Sequence, residues 1–70
     1  MITLEEIRDR IIDAIKDSGI RQVQIAKELG VSPQTVSHYV KGDKMPAVDT
    51  LANLCKLLDL DANEILCLTK

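Results

Sequence analysis

Residues 22–42 of the chain read QVQIAKELGVSPQTVSHYVKG. Apolar residues such as Ile25 and Leu29 recur there at helical spacing, which predicts a first short helix over about 21–29. Gly30 is expected to end this helix, because a residue without a Cβ atom adopts a positive φ at little cost. The first half of the stretch therefore predicts one helix that stops at a glycine.

Ser32 and Pro33 predict the start of a second helix, over about 33–41. Serine is a favourable N-cap because its hydroxyl accepts a backbone N–H, and proline fits the first helical position because no N–H is needed there. Val36 and later apolar residues follow at helical spacing. Two short helices joined by a tight turn form a helix-turn-helix, which we place at about 22–41.

Small and apolar residues stand where two such helices must cross. Ala26 is expected to be small because the second helix passes close over the first. Val31 and Val36 are expected to fill the angle between the helices, and Tyr39 to anchor the second helix to the core. Each residue alone is weak evidence, but the set together is a strong indication of this motif.

The rest of the chain predicts three further helices and no strand. Thr3 and Glu6 form a capping-box pattern at the start of a helix over about 3–18. A loop over 41–46 follows the central pair, and Asp61 starts a short fifth helix after the fourth. The apolar faces of these three helices are expected to contain Leu4, Ile7, Ile11, Ala14, Ile15, Val48, Leu51, Ala52, Leu54, Cys55, Leu58, Ile65, Leu66 and Leu68.

Length and composition favour a single all-α domain over residues 1–70. A chain of 70 residues, with 46% apolar and 29% charged residues, has the balance of one small globular core. That core must be largely aliphatic, because the chain has no Trp or Phe and one Tyr. Two prolines and three glycines are too few for many strands and turns.

Composition also disfavours several functional classes. No apolar run approaches the ~20 residues that span a bilayer, and no signal-peptide pattern precedes Glu5, so we expect a cytoplasmic protein with free thiols. Cys55 is expected to be buried, whereas Cys67 lies in the tail. These cysteines and His38 lack metal-ligand spacing, so no metal, cofactor or small-molecule ligand is expected. An enzyme is disfavoured because no paired acid–base or nucleophile constellation is present.

Charge is unevenly distributed along the chain, although the net charge is only −2. Residues 21–44 carry four basic and two acidic side chains, whereas residues 1–20 and 45–70 each have an excess of two acidic ones. A phosphate partner responds to the local charge more than to the total. The helix-turn-helix segment is therefore the one part of the chain suited by charge to a polyanion.

The stretch over 22–42 resembles the core motif of the lambda repressor/Cro-like, or Xre-type, helix-turn-helix domains. The resemblance continues through PAVDTL at 46–51, LCKLL at 54–58 and DANEIL at 61–66, so it covers nearly the whole chain. It implies a compact five-helix lambda repressor-like domain that binds palindromic operator DNA, usually as a dimer, and represses transcription.

The resemblance implies that the second helix of the motif lies in the major groove with its N-terminal residues at base edges. Gln34 is suited to pair with N6 and N7 of adenine, and His38 can meet a base edge or reach a phosphate. Pro33 departs from the polar residue common in the family and can only pack, for example on a thymine methyl group. The expected base contacts are Pro33, Gln34, Ser37 and His38.

Phosphate contacts are expected at both helices of the motif. Gln22 matches the family position that grips a phosphate at a helix start. Arg21 replaces the usual Ser or Thr N-cap, which weakens the cap but adds a positive charge. Lys27 fits a phosphate contact and a solvated helix face equally well. The expected phosphate contacts are Arg21, Gln22, Ser32, Thr35, Lys41 and Lys44.

The tail residues Ile65, Leu66 and Leu68 remain apolar up to the end of the chain. They either close the end of the core or form a two-fold dimer contact, and we expect a homodimer that is weak without DNA. The alternative function is a protein-interaction module on the same scaffold, such as an antitoxin or a coactivator-type domain, which the acidic net charge favours slightly.

Overall fold

The computed structural model describes residues 1–68, and within them the chain forms five α-helices and no strand. The predicted all-α fold class is confirmed. The helices are α1 (Leu4–Asp17), α2 (Gln22–Leu29), α3 (Pro33–Lys41), α4 (Val48–Leu58) and α5 (Ala62–Ile65). None of the helices in residues 1–68 is long and apolar enough to cross a membrane.

Helix α1 begins and ends at side-chain caps. The hydroxyl of Thr3 accepts the backbone N–H of Glu6 at 3.2 Å, which is the first of the two bonds of the predicted capping box. At the other end, the hydroxyl of Ser18 donates to the carbonyl of Ile15 at 2.7 Å and accepts the N–H of Ile20 at 3.1 Å. These bonds satisfy backbone groups that a helix terminus leaves without partners.

The core takes residues from all five helices. Tyr39 and Cys55 are buried, as predicted, and both are surrounded by aliphatic side chains. Burial raises the pKa of the Cys55 thiol, with a further contribution from the negative charge of Asp61. The buried set consists of Ile11, Ile15, Ile25, Ala26, Val36, Tyr39, Leu54, Cys55 and Ile65.

Parts of the predicted apolar faces differ from expectation. Leu4 is 69% exposed, although its spacing places it on the apolar face of α1. The fifth helix is a single turn that ends at Ile65, whereas the sequence pattern extended it to Leu68. Cys67 has a φ of 61°, a left-handed conformation that a helix cannot include.

Candidate nucleic-acid interface

The turn between α2 and α3 is made by Gly30. Its φ of 72° and ψ of 28° lie in the left-handed region, as the sequence predicted. The N–H of Val31 then donates to the carbonyl of Ala26 at 3.0 Å, and the N–H of Gly30 donates to that of Lys27 at 3.3 Å. This pairing closes the C-terminus of α2 and directs the chain into the next helix.

One face of α3 is fixed by burial against the rest of the domain. Val36 is fully buried, and Tyr39 one turn later is nearly so. Ala26 is buried in the same core, which agrees with its expected place at the crossing of α2 and α3. Burial raises the pKa of the Tyr39 phenol, and the negative charge of Asp49 raises it further. Since α3 packs on both α1 and α2, only its opposite face is free.

The start of α3 is held by a local hydrogen-bond network. The hydroxyl of Ser32 accepts the N–H of Thr35 at 3.1 Å, and the two hydroxyl oxygens lie 2.8 Å apart. Pro33 occupies the first helical position, as predicted. The Ser32 hydroxyl already accepts the capping hydrogen bond. A phosphate contact at Ser32 must therefore use the hydrogen-bonding capacity of this hydroxyl that the cap leaves free.

The free face of α3 brings together the four residues that sequence reasoning assigned to base contact. Gln34 and His38 are exposed and lie four positions apart, so they occupy neighbouring turns of one face. Pro33 is exposed beside Gln34, and Ser37 is half-buried beside His38. The result is a short polar surface along the outer side of a helix whose other side is packed in the core.

Further exposed basic and amide side chains lie on α2, at the end of α3 and in the loop after it. Arg21 is the N-cap residue of α2 and makes no side-chain capping bond, which confirms the weakened cap. Gln22 is the first residue of α2 and is exposed. Lys41 ends α3, and Lys44 lies in the loop after it; both are exposed, as is Lys27 on α2. These side chains are free of the core and available to an anionic partner.

A model of the helix-turn-helix family HTH_3 matches residues 11–65, which include α2, its turn and α3 in full. The chain belongs to this Cro/C1-type helix-turn-helix family. It is accordingly a DNA-binding regulator of transcription. No curated protein and no solved structure matches the chain.

The loop that follows α3 of this helix-turn-helix domain carries a contact that sequence reasoning missed. Gly42 has a φ of 85°, and the N–H of Asp43 donates to the carbonyl of His38 at 3.0 Å. The carboxylate oxygen Oδ2 of Asp43 lies 3.4 Å from Nδ1 of His38. The sequence signal for this contact was Gly42, which stands between His38 and Asp43. A left-handed glycine at a helix end folds the chain back on the last helical turn.

Arg8 of α1 also borders the loop after α3. A methyl group placed on Gly42 would lie 3.4 Å from Cδ of Arg8 and 3.8 Å from Cδ1 of Ile12. The guanidinium is only loosely paired, with 4.0 Å between Nη2 and Oε1 of Glu5. Sequence reasoning assigned α1 no part in this region. The proximity arises from the packing of α1 on α3, and no local sequence pattern predicts it.

An apolar groove of about 140 Å³ runs between α4 and α5 of the domain. The tail residues divide between core and surface: Ile65 is buried, Leu66 is half-buried on the groove, and Leu68 is 61% exposed. Val48 at the groove rim is 86% exposed, although its spacing places it on the apolar face of α4. The groove is lined by Val48, Leu51, Ala52, Cys55, Ala62, Ile65 and Leu66.

Proposed function

We propose that this helix-turn-helix protein is a sequence-specific repressor that inserts α3 into the major groove of a palindromic operator. The observation that carries the proposal is the two-sided character of α3. Val36 and Tyr39 fix its inner face in the core, while Gln34 and His38 stand exposed on its outer face. A rigidly held helix with polar side chains on its free face is the geometry that reads base edges.

The exposed residues of α3 match the chemistry of base readout. The amide of Gln34 accepts from N6 and donates to N7 of adenine in a bidentate pair, and the hydroxyl of Ser37 can pair with several bases. Pro33 offers only apolar contact, suited to the methyl group of thymine. Each half-site is therefore proposed to contain an adenine opposite Gln34.

Contacts with phosphates are proposed to position α3 over the groove. Arg21 and Gln22 stand at the N-terminus of α2, where backbone N–H groups and the helix dipole favour an anion. Lys41, Lys44 and the hydroxyls of Ser32 and Thr35 border the exposed face of α3. These contacts supply affinity without sequence information, so they fix orientation and leave discrimination to α3.

Lys44→Ala is expected to weaken binding to all duplex sequences alike. The lost phosphate contact should also reduce the slope of log affinity against log salt concentration by about one unit for each protomer. Affinity measured over a salt series on an operator and on a random duplex checks this. Lys56→Ala is the matched control, because Lys56 is an exposed lysine of α4, outside the helix-turn-helix. A slope equal to that of the control would place Lys44 away from DNA.

The operator proposal is tested by in vitro selection from random duplexes followed by sequencing. We expect a near-palindromic site with half-sites about 10 bp apart, because a second recognition helix on the same face lies one helical turn away. A domain that used this scaffold only to hold a protein partner would enrich no sequence. It would also lack the salt-sensitive binding to random duplex that a DNA-binding domain shows.

A second copy of the chain is the proposed occupant of the groove between α4 and α5. A single recognition helix reads too few base pairs to select a site in a genome, so two copies are needed. The groove is lined by residues of α4 and α5 and its border and by none of α3, and Leu68 after α5 is exposed. A two-fold pairing there is proposed to leave both copies of α3 free to face DNA. The contact is small, so pairing is completed on the operator.

The two free cysteines suit the reducing cytoplasm that we propose as the location of the protein.

Val48→Asp is expected to weaken assembly on a palindromic operator by roughly tenfold, which corresponds to about 1.4 kcal/mol. The substitution puts a charge on the exposed rim of the groove, and Asp at the start of α4 is compatible with the helix. Sedimentation with and without operator measures the stoichiometry. Leu4→Asp is the control, since it makes the same kind of change on α1. Unchanged assembly of the Val48 variant would move the interface elsewhere.

A further inference from the structure

Asp43 is held beside the outer face of α3 by the backbone. The left-handed Gly42 turns the chain, and the N–H of Asp43 donates to the carbonyl of His38 at 3.0 Å. This main-chain bond closes the end of α3 and brings Asp43 close to the helical turn that contains His38. The position of the carboxylate relative to His38 is therefore set by the end of the helix.

The side chains of His38 and Asp43 meet at a defined ring nitrogen. Nδ1 of His38 lies 3.4 Å from Oδ2 of Asp43, and the side chains are 52% and 62% exposed. An ionised carboxylate only accepts hydrogen bonds, so Nδ1 must carry the proton that is shared between them. In a neutral imidazole the other nitrogen, Nε2, is then an acceptor with a free lone pair.

We propose that Asp43 is a positioning residue for base readout, which fixes the Nδ1–H tautomer of His38 so that Nε2 accepts a hydrogen bond from a base amino group. This inference rests on the proposed placement of α3 in the major groove. There, adenine offers its N6 amino group and cytosine its N4 amino group, whereas guanine and thymine present only acceptors among their polar groups. On the strand that it contacts, His38 consequently favours adenine or cytosine over guanine or thymine.

The same pairing accounts for an acidic residue between two lysines at the end of α3. Asp43 lies two positions after Lys41 and directly before Lys44, so its charge opposes the attraction of this loop for phosphates. Removal of the carboxylate is thus expected to strengthen binding to every duplex while base discrimination at His38 falls. A side chain that only balanced charge would change the first quantity and leave the second unchanged.

The tautomer is measured on the free protein by ¹⁵N NMR of the imidazole. The chain has one histidine, so its two ring nitrogens give one assignable pattern. In the unmodified protein at pH 8 we expect the neutral imidazole to carry its proton on Nδ1. Asp43→Ala should shift the population towards the Nε2–H tautomer that an isolated imidazole prefers in water, whereas Asp9→Ala on α1 should not. An Nε2–H majority in the unmodified protein, or no shift in Asp43→Ala, would overturn the inference.

The consequence for recognition is measured by in vitro selection at pH 8. His38→Ala identifies the base pair that His38 reads, as the position whose preference disappears. At that position the unmodified protein should prefer one base pair, and Asp43→Ala should lose roughly 3- to 10-fold of the preference, the worth of about one hydrogen bond. Asp43→Asn keeps an oxygen that accepts from Nδ1 and should retain more of the preference than Asp43→Ala.

The two proposals fail in different ways. If the unmodified protein enriches no DNA sequence, operator binding is refuted, and the NMR result still decides the tautomer. If it enriches an operator but Asp43→Ala keeps the full preference at the position of His38, operator binding stands and the role of Asp43 is overturned.

Discussion

Ile25→Ala is expected to lower the free energy of unfolding by about 2–5 kcal/mol. Ile25 is 0% exposed and belongs to the part of α2 that packs in the hydrophobic core. Truncation removes apolar burial and leaves a cavity that an aliphatic core can only partly close. Since small domains are marginally stable, this change removes a large share of the total stability. Chemical denaturation followed by circular dichroism measures it.

Val23→Ala is the matched control for Ile25→Ala. Val23 lies two positions earlier on the same helix but is 65% exposed. Its truncation is expected to change stability by less than about 0.5 kcal/mol. Similar losses for the two variants would contradict the assignment of Ile25 to the core and of Val23 to the surface, and with it the orientation of α2.

Gln34→Ala is expected to cost roughly 1–3 kcal/mol per half-site on the selected operator. The effect arises because the bidentate amide contact to adenine is lost while the helix itself remains intact. Since a palindrome contains two half-sites, the loss on the whole operator is roughly twice as large. Binding to random duplex should change little. Competition between operator and random duplex for each variant gives the specificity ratio directly.

The control for Gln34→Ala is Gln24→Ala. Gln24 is also exposed, and its amide donates to Oε1 of Glu28 on the same helix at 3.0 Å. Its removal is expected to leave the specificity ratio unchanged. An equal loss for Gln34→Ala on operator and on random duplex would show that Gln34 touches the DNA backbone instead of a base.

The parts of the fold that depend on local chemistry were predictable from the sequence. Thr3 and Ser32 cap helices because their hydroxyls accept N–H groups three residues later, and Gly30 ends α2 because it takes a positive φ. The exposed residues of α3 were also predictable, from helical geometry. Once Val36 and Tyr39 are assigned to the core, helical geometry places Gln34 and His38 outside.

The parts that depend on packing between distant segments were not predictable. Arg8 lies near Gly42 although the two residues are more than thirty positions apart, and helical periodicity contains no information about this proximity. The short length of α5 was missed because apolar residues continue to Leu68, although Cys67 adopts a left-handed conformation. The exposure of Val48 was missed because no described helix covers the rim of the groove.

The most direct test of the central claim is a titration of ¹⁵N-labelled protein with a selected operator duplex, followed through the backbone amide signals. We expect the largest shifts on the exposed face of α3, at Gln22 and in the loop over 42–44. The signals of the exposed face of α1, which includes Asp9 and Asp13, should move little. Shifts centred on α1, or confined to the groove between α4 and α5, would contradict the insertion of α3 into the major groove.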